Sequence, residues 1–302
     1  METVFEETAE PKQEKALSFK EKISAYIELT KPRIAFMLVL TAAAGFYMGS
    51  GSGFDVGTFF NSMAAITLLA FGVAAINQFI ERDIDKLMER TENRPIPSGR
   101  VSPAEALIFG VSLCVIAEVY LWLAVNPLTA VLGISVIVGY DFLYTPLKTR
   151  TTASTAIGAI PGAMPPLMGW TAAAGFISLP ALFLFALLFF WQFPHFLAIA
   201  WMYKDQYAKA GIKMLPVVEP DGRITARQIV IFTLFLLPIS VAPYFLGLSG
   251  KIFLVGASVL GIWFLYVSVR TARARTVEMA RKLLFASVLY LPIVFLLMVI
   301  DR

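Results

Sequence analysis

The stretch NQFIERDIDKLMERTENRPIPSGR, from Asn77 to Arg100, separates two apolar runs and indicates how the rest of the chain is arranged. On a helix, Asn77, Glu81 and Asp85 follow one another at intervals of four residues, which places an amide and two carboxylates on one face. Such oxygen ligands suit Mg²⁺, which usually binds one or two carboxylates together with substrate phosphate oxygens. We therefore interpret these three residues as candidate metal ligands and catalytic groups.

Basic residues are frequent in the same stretch and point to an anionic ligand. They would pair with the carboxylates or, once a metal is bound, with phosphate. They are Arg82, Lys86, Arg90, Arg94 and Arg100. Two plainer interpretations remain open, namely salt bridges between residues four apart on a helix, and a charged cytoplasmic loop.

The composition is that of an integral membrane protein. The chain has 302 residues, of which 58% are hydrophobic and 15% are charged, whereas soluble domains are about 45–50% apolar and ~25% charged. We predict an all-α polytopic membrane bundle of about nine transmembrane helices. The predicted spans are 34–50, 57–79, 104–125, 127–145, 153–172, 179–202, 227–247, 252–270 and 282–300. The fifth is rich in small residues and proline, which predicts an interior helix that kinks or breaks.

The distribution of positive charge predicts the orientation of this bundle. All but two of the 25 Lys and Arg residues, Lys251 and Arg302, fall on one side of it. The positive-inside rule then places the N-terminus in the cytoplasm and the C-terminus outside. We expect residues 1–30 to form a cytoplasmic tail and interfacial segment, with a short helix at about 18–30, and residues 31–302 to form the transmembrane domain. The start of the chain matches neither a transit peptide nor a secretory signal, which favours a prokaryotic cell (inner) membrane.

His195 is the only histidine in the chain and lies within the sixth span, directly after Pro194. Ionisable residues inside a membrane bundle are costly, so they are functional candidates by default. A neutral imidazole would position a polar substrate, ligate a metal, or act as acid or base. The alternative is a structural histidine that is hydrogen-bonded to a neighbouring helix.

Further polar residues border the predicted cytoplasmic mouth of the bundle. They are Lys31 and Arg33 before the first span, Asp141, Tyr144, Lys148 and Arg150 at the end of the fourth, and Lys204, Asp205 and Tyr207 after the sixth. The last group would form a second phosphate or metal platform, or belong to the aromatic belt of the membrane interface. For Lys31 and Arg33, the residues alone favour topology determination and contact with lipid headgroups.

Taken together, these stretches resemble the UbiA-type membrane prenyltransferases, and within them the branch that farnesylates haem. The resemblance covers nearly the whole chain from about residue 29. It rests on the Asn77–Thr91 pattern and on the segments LTKPRI (29–34), RPIPSGR (94–100), YTPLKTRT (144–151), GAIPGAMPPLMGW (158–170), WQFPHF (191–196) and the Asp205–Val218 stretch. The last two are the most specific to the haem branch.

The resemblance implies a nine-helix bundle with a central cavity and with acidic loops over its cytoplasmic mouth. It implies transfer of the farnesyl chain of farnesyl diphosphate to a vinyl group of haem B, with addition of water, and Mg²⁺ as cofactor, with Mn²⁺ as the alternative. Asp205 would join the metal ligands, and the basic and tyrosine residues named above would bind substrate. The expected partners are both substrates, the lipid bilayer, and haem A synthase or terminal oxidase assembly, with no nucleic acid.

Two positions depart from the family pattern, and they keep rival functions open. Glu81 stands where the family more often has Asp, and Lys209 stands where quinone-type relatives carry a second Asp. The nearest rival is a prenyltransferase that acts on a quinone or chlorin precursor. Rivals of other classes are a membrane transporter or haem carrier, and a structural subunit for oxidase assembly.

Overall fold

The computed structural model describes residues 18–302, and these residues are helical apart from short turns and loops. In chain order the helices are α1 (Phe19–Leu29), α2 (Pro32–Gly49), α3 (Val56–Asp85), α4 (Pro103–Ala124), α5 (Pro127–Ile137), a π-helical turn (Val138–Tyr144), α6 (Thr145–Leu147), α7 (Ser154–Gly162), α8 (Met164–Ala174), α9 (Leu179–Met202), α10 (Lys204–Lys209), α11 (Leu215–Val218), α12 (Arg223–Phe245), α13 (Lys251–Ala274) and α14 (Val277–Ile300). Within residues 18–302, eight continuous helical runs are long and apolar enough to cross a membrane. The predicted all-α membrane bundle is therefore confirmed.

The fifth predicted span, at 153–172, is where the structure departs from a single helix, because it consists of α7 followed by α8. Pro161, Pro165 and Pro166 explain the break, since none of them has an N–H to donate to the preceding turn. Nearly all of α8 is buried, which confirms the prediction of an interior helix. It approaches α2 closely, because a Cβ on Gly45 or Gly169 would collide with backbone carbonyl groups of the other helix.

The short helix that the sequence predicts before the first span is α1. Phe19, Ile23 and Ile27 are exposed along one of its faces, and an apolar face of this kind suits the membrane interface. An ion pair of 2.7 Å between Arg100 and Glu28 ties α1 to the loop after α3. The predicted tail before residue 18 lies outside the described residues.

The two long polar loops, at 86–102 after α3 and at 203–222 after α9, pack against each other. Met88 of the first is buried with Tyr207, Ile212 and Met214 of the second. The loops therefore lie on the same side of the bundle, as the charge distribution predicts. That this side is the cytoplasmic one stays a prediction.

Candidate active site

The three residues predicted to share one helix face, Asn77, Glu81 and Asp85, do so and are buried; we call them the stripe. Asn77, Glu81 and Asp85 occupy the last turns of α3 and are only 1%, 7% and 1% exposed. The helix continues for six residues beyond the predicted end of the span at residue 79, which carries the stripe to the polar loops. Buried polar groups require partners, and here the partners come from other parts of the chain.

Each member of the stripe is contacted by one basic side chain. The Lys31 ammonium donates to Asn77 Oδ1 at 2.8 Å. Lys148 Nζ lies 2.6 Å from Glu81 Oε1, and Arg94 donates to Asp85 Oδ2 at 2.7 Å. The predicted alternative of salt bridges along one helix does not describe this cluster, because the three basic residues lie outside α3.

Lys31 reaches the stripe from a constrained position. It is the residue before α2, it precedes Pro32, and its backbone φ is +48°, in the left-handed region that non-glycine residues seldom adopt. Burial, together with the nearby charge of Arg94, lowers the pKa of Lys31 to about 7. The ammonium is thus held among other cations with too few anions to stabilise it. Arg33, two residues on, is exposed on α2.

Lys148 and its neighbours approach from the end of the fourth span. Burial is the largest single effect and opposes the charged form of Lys148, but the Glu81 carboxylate together with the Tyr144 and Tyr140 hydroxyl groups outweighs it, and the net effect raises the pKa of Lys148. Its ammonium lies 4.3 Å from the ring centroid of Tyr144. Asn77 Nδ2 also donates to Thr145 Oγ1 at 3.1 Å. The predicted Tyr144 and Lys148 are therefore next to the stripe, whereas Arg150 is exposed.

The side chains of this cluster are too few to bind a divalent cation alone, so another molecule must supply further oxygen ligands. Lys31, Arg94 and Lys148 outnumber the carboxylates of Glu81 and Asp85. Within the described residues, Glu81 Oε2 and Asp85 Oδ1 accept no hydrogen bond, so each carboxylate keeps one oxygen for a ligand. No group of three or more His, Cys, Asp or Glu side chains in residues 18–302 is arranged to hold a metal. A cation that needs few protein ligands and several phosphate oxygens, as Mg²⁺ does, fits this arrangement.

The second predicted platform joins the first loop through Arg90. The Arg90 guanidinium donates to the Tyr207 hydroxyl at 3.2 Å, and its backbone N–H donates to Gln206 Oε1 at 3.3 Å. Its guanidinium carbon also lies 5.0 Å from the ring centroid of Tyr203, as expected for a cation–π contact. Arg90 and Tyr207 thus hold the two loops together.

Three other predicted residues are not brought to the stripe. Asp205 is exposed and makes no polar side-chain contact within residues 18–302, so its role as a metal ligand stays a prediction. Lys204 is half-buried at the start of α10. Arg100 is engaged by Glu28 and by the carbonyl group of Asn93, which fixes the loop conformation.

His195 contacts α14 and not the charged cluster. Its Nδ1 lies 2.8 Å from Ser287 Oγ, and its ring stacks on Trp191 with centroids 4.6 Å apart. Ser287 Oγ also lies within hydrogen-bond distance of the carbonyl group of Leu284. The contact between His195 and Ser287 is the one that the structural alternative predicts. Nε2 has no hydrogen-bond partner within the described residues, and a role in the reaction stays a prediction.

Sequence reasoning missed Thr145 and placed Asp141 only among the polar residues at the mouth of the bundle. Thr145 bonds the stripe directly, as described above. Asp141, one turn earlier, is 0% exposed, and neither of its carboxyl oxygens has a partner within residues 18–302. The sequence signal for Asp141 is its carboxyl group, which lies four residues before Thr145 in the same span.

Fold and site together define a class: multi-pass α-helical membrane proteins with a buried, cation-rich cluster at one water boundary. The family model of the UbiA prenyltransferases matches residues 38–290. The chain is 51% identical over 286 residues to "Protoheme IX farnesyltransferase" of Solibacter usitatus (strain Ellin6076), with 92% of this chain and 98% of the relative covered. It is 45% identical to the protein of the same name from Koribacter versatilis (strain Ellin345), with 92% and 93% covered.

Solved structures share the fold at low identity. A digeranylgeranylglyceryl phosphate synthase structure has a TM-score of 0.79 at 18% identity and covers 93% of this chain and 98% of its own. A UbiA homologue from Archaeoglobus fulgidus, bound to GPP and Mg²⁺, has a TM-score of 0.64 at 14% identity, with 91% and 99% covered. The chain belongs to the UbiA prenyltransferase family.

Proposed function

We propose that this protein transfers the farnesyl group of farnesyl diphosphate to a vinyl group of haem B, with addition of water, and so forms haem O and diphosphate. The observation that carries the proposal is the 51% identity, over 92% of the chain, with a protein named as a protohaem IX farnesyltransferase. The cation-rich cluster at the end of α3 supports it, because buried Lys and Arg side chains suit a diphosphate group.

The stripe would hold the metal and its basic partners would hold the diphosphate. Asn77, Glu81 and Asp85 are the proposed ligands of Mg²⁺, with Mn²⁺ as an alternative, and the bound cation would neutralise charge that develops on the leaving diphosphate. Lys31, Arg94 and Lys148 already lie against these three residues at 2.8, 2.7 and 2.6 Å. They would donate to phosphate oxygens in the same place, where charge-assisted hydrogen bonds are strong.

The depth of the cluster suits an amphiphilic substrate. The charged groups lie where α3 meets the polar loops, whereas the rest of the bundle is apolar. A diphosphate at the cluster would leave the farnesyl chain among the helices, where an allylic cation is protected from bulk water. His195 Nε2, which has no hydrogen-bond partner within residues 18–302, is the proposed haem contact.

The proposed location is a prokaryotic cell (inner) membrane, with the N-terminus and the polar loops in the cytoplasm. This assignment follows from the concentration of Lys and Arg on the side of those loops. Haem A synthase or terminal oxidase assembly is the proposed protein partner, because haem O would be consumed there. Arg33, Arg150, Lys204 and Asp205 are proposed to meet substrate from the loop surface.

The test supplies the purified protein with farnesyl diphosphate and Mg²⁺, and with either haem B or 4-hydroxybenzoate. We expect a heavier, more hydrophobic porphyrin and stoichiometric diphosphate with haem B, and no prenylated product with 4-hydroxybenzoate. Prenylation of 4-hydroxybenzoate alone would assign the protein to the quinone branch. Haem movement across vesicles without diphosphate release would identify a carrier.

Matched variants on one helix test the site. Glu81→Gln and Asp85→Asn should abolish product while leaving the protein inserted and monodisperse in detergent. Asp83→Asn is the control, because Asp83 lies on the same helix with 73% of its side chain exposed. Wild-type turnover in Glu81→Gln or Asp85→Asn would remove the assignment of the stripe.

A further inference from the structure

Asp141 is a buried carboxyl group for which the described part of the chain offers no partner. It is 0% exposed, and both oxygens lack a hydrogen bond within residues 18–302. An unpaired carboxylate inside a protein costs several kcal/mol of desolvation, so such a group requires an explanation. Glu81 and Asp85, by contrast, each have a cation at hydrogen-bond distance.

The backbone around Asp141 is unusual in a way that places it beside the cluster. It belongs to the π-helical turn Val138–Tyr144, where the N–H of Thr145 donates to the carbonyl group of Tyr140, five residues back. The Thr145 hydroxyl donates to the same carbonyl group at 2.8 Å and accepts from Asn77. Single π-helical turns occur frequently at functional sites. This one places Asp141 about one turn, roughly 5 Å along the helix, from a residue that bonds the stripe.

The position of Asp141 is on the membrane side of the cluster. The fourth span runs from Asp141 through Thr145 to Lys148 and the polar loops, so Asp141 lies deeper than the groups that would bind diphosphate. An ionised Asp141 would add a third carboxylate about one helical turn from a cluster in which three cations contact one amide and two carboxylates.

We propose that Asp141 is the base that accepts a proton when water adds to the farnesylated haem, an inference that rests on the proposed function. The C–O bond of farnesyl diphosphate breaks and its electron pair leaves with diphosphate. The vinyl electron pair forms the new C–C bond, which leaves a cation on the vinyl carbon next to the porphyrin. A water oxygen bonds to that carbon, and its proton passes to an Asp141 carboxylate oxygen.

The other acid–base groups of the site are less suited to this step. In the proposed site, one oxygen each of Glu81 and Asp85 is bonded to Lys148 and Arg94 and the other would bind the metal, and His195 Nε2 would contact haem. The allylic carbon of a farnesyl diphosphate held at the cluster would lie on the membrane side of the cluster, as Asp141 does. Without a base there, the cation would lose a proton from the adjacent carbon to the released diphosphate, and an alkene lacking the water would form.

The experiment measures the mass of the porphyrin product together with diphosphate release in Asp141→Asn, Asp141→Glu and Glu118→Gln. In Asp141→Asn we expect diphosphate release within severalfold of wild type, with the hydrated fraction of product at least tenfold lower and a product lighter by one water in its place. Asp141→Glu should restore part of the hydration. Glu118→Gln is the matched control, because both Glu118 oxygens also lack partners in residues 18–302, and it should leave hydration unchanged.

Two outcomes would overturn the inference and leave the proposed function intact. One is hydrated product at the wild-type ratio in Asp141→Asn, and the other is loss of diphosphate release together with product, which would assign Asp141 to diphosphate binding. If wild type forms no farnesylated haem, the proposed function itself fails. Should Asp141→Asn not fold, Asp141→Glu provides the test, because moving the carboxylate by one methylene should lower the hydrated fraction while diphosphate release continues. An unchanged hydrated fraction in Asp141→Glu overturns the proposal.

Discussion

Replacement of Lys148 by methionine removes the ammonium that pairs with Glu81 but keeps a side chain of similar length. The pair is buried, with side chains only 14% and 10% exposed and a separation of 2.6 Å. At an effective dielectric constant of about 20, two unit charges at that distance attract by about 6 kcal/mol. Desolvation of both groups offsets part of this attraction. Loss of one partner from a buried pair costs about 3–5 kcal/mol, since the other charge is left unpaired.

We expect Lys148→Met to lose about 3 kcal/mol of stability, and the double variant Glu81→Gln/Lys148→Met to recover most of that loss, because no unpaired charge remains. The assay is the thermal midpoint in one fixed detergent, where about 3 kcal/mol corresponds to roughly 5 °C for a chain of this length. Lys282→Met is the matched control, since its 2.7 Å pair with Glu278 has side chains 60% and 75% exposed. Such an exposed pair contributes at most about 1 kcal/mol.

Equal midpoints for Lys148→Met and Lys282→Met would refute the reasoning, because the two variants differ in the burial of the pair. A double variant as unstable as Lys148→Met would refute it as well. In that case the loss would come from packing of the lysine stem and not from an unpaired carboxylate.

Three further predictions concern other contacts. Gly169→Ala should lower the thermal midpoint strongly or prevent folding, because its Cβ would meet the α2 backbone, whereas Gly53, with no atom near its Cβ position, should accept alanine without loss. His195→Ala should lower turnover with haem B more than Ser287→Ala does if Nε2 meets substrate; equal losses in stability and unchanged turnover would make the histidine structural. Arg90→Met should raise the KM for farnesyl diphosphate severalfold by separating the two loops, and unchanged kinetics would contradict that role.

Hydropathy was sufficient to predict most of the fold. The third span, predicted at 104–125, is helix Pro103–Ala124, and the interior character of the fifth follows from its small residues. The break between α7 and α8 could be expected from three prolines, but its position depends on close packing against α2. The π-helical turn has no comparable sequence signal, because its bonding pattern depends on the Thr145 hydroxyl and its partners.

For the site, the sequence predicts which residues share one face of a helix. It does not predict which residues from other elements contact them. Four-residue spacing correctly placed Asn77, Glu81 and Asp85 on one buried face. The partner of Glu81 is Lys148, 67 residues away in the sequence. Such a contact depends on the packing of the fourth span against the second and leaves no periodic pattern. Asp141 was expected only at the mouth of the bundle, because its burial without a partner among residues 18–302 is a property of the folded interior.

The most direct test of the central claim is diphosphate release by the purified protein with farnesyl diphosphate and haem B, measured after exhaustive chelation. If carboxylates at the end of α3 hold the divalent cation that lets diphosphate leave, release should stop on chelation and return on addition of Mg²⁺ in wild type but not in Asp85→Asn. Full release from the chelated wild-type protein would contradict the claim.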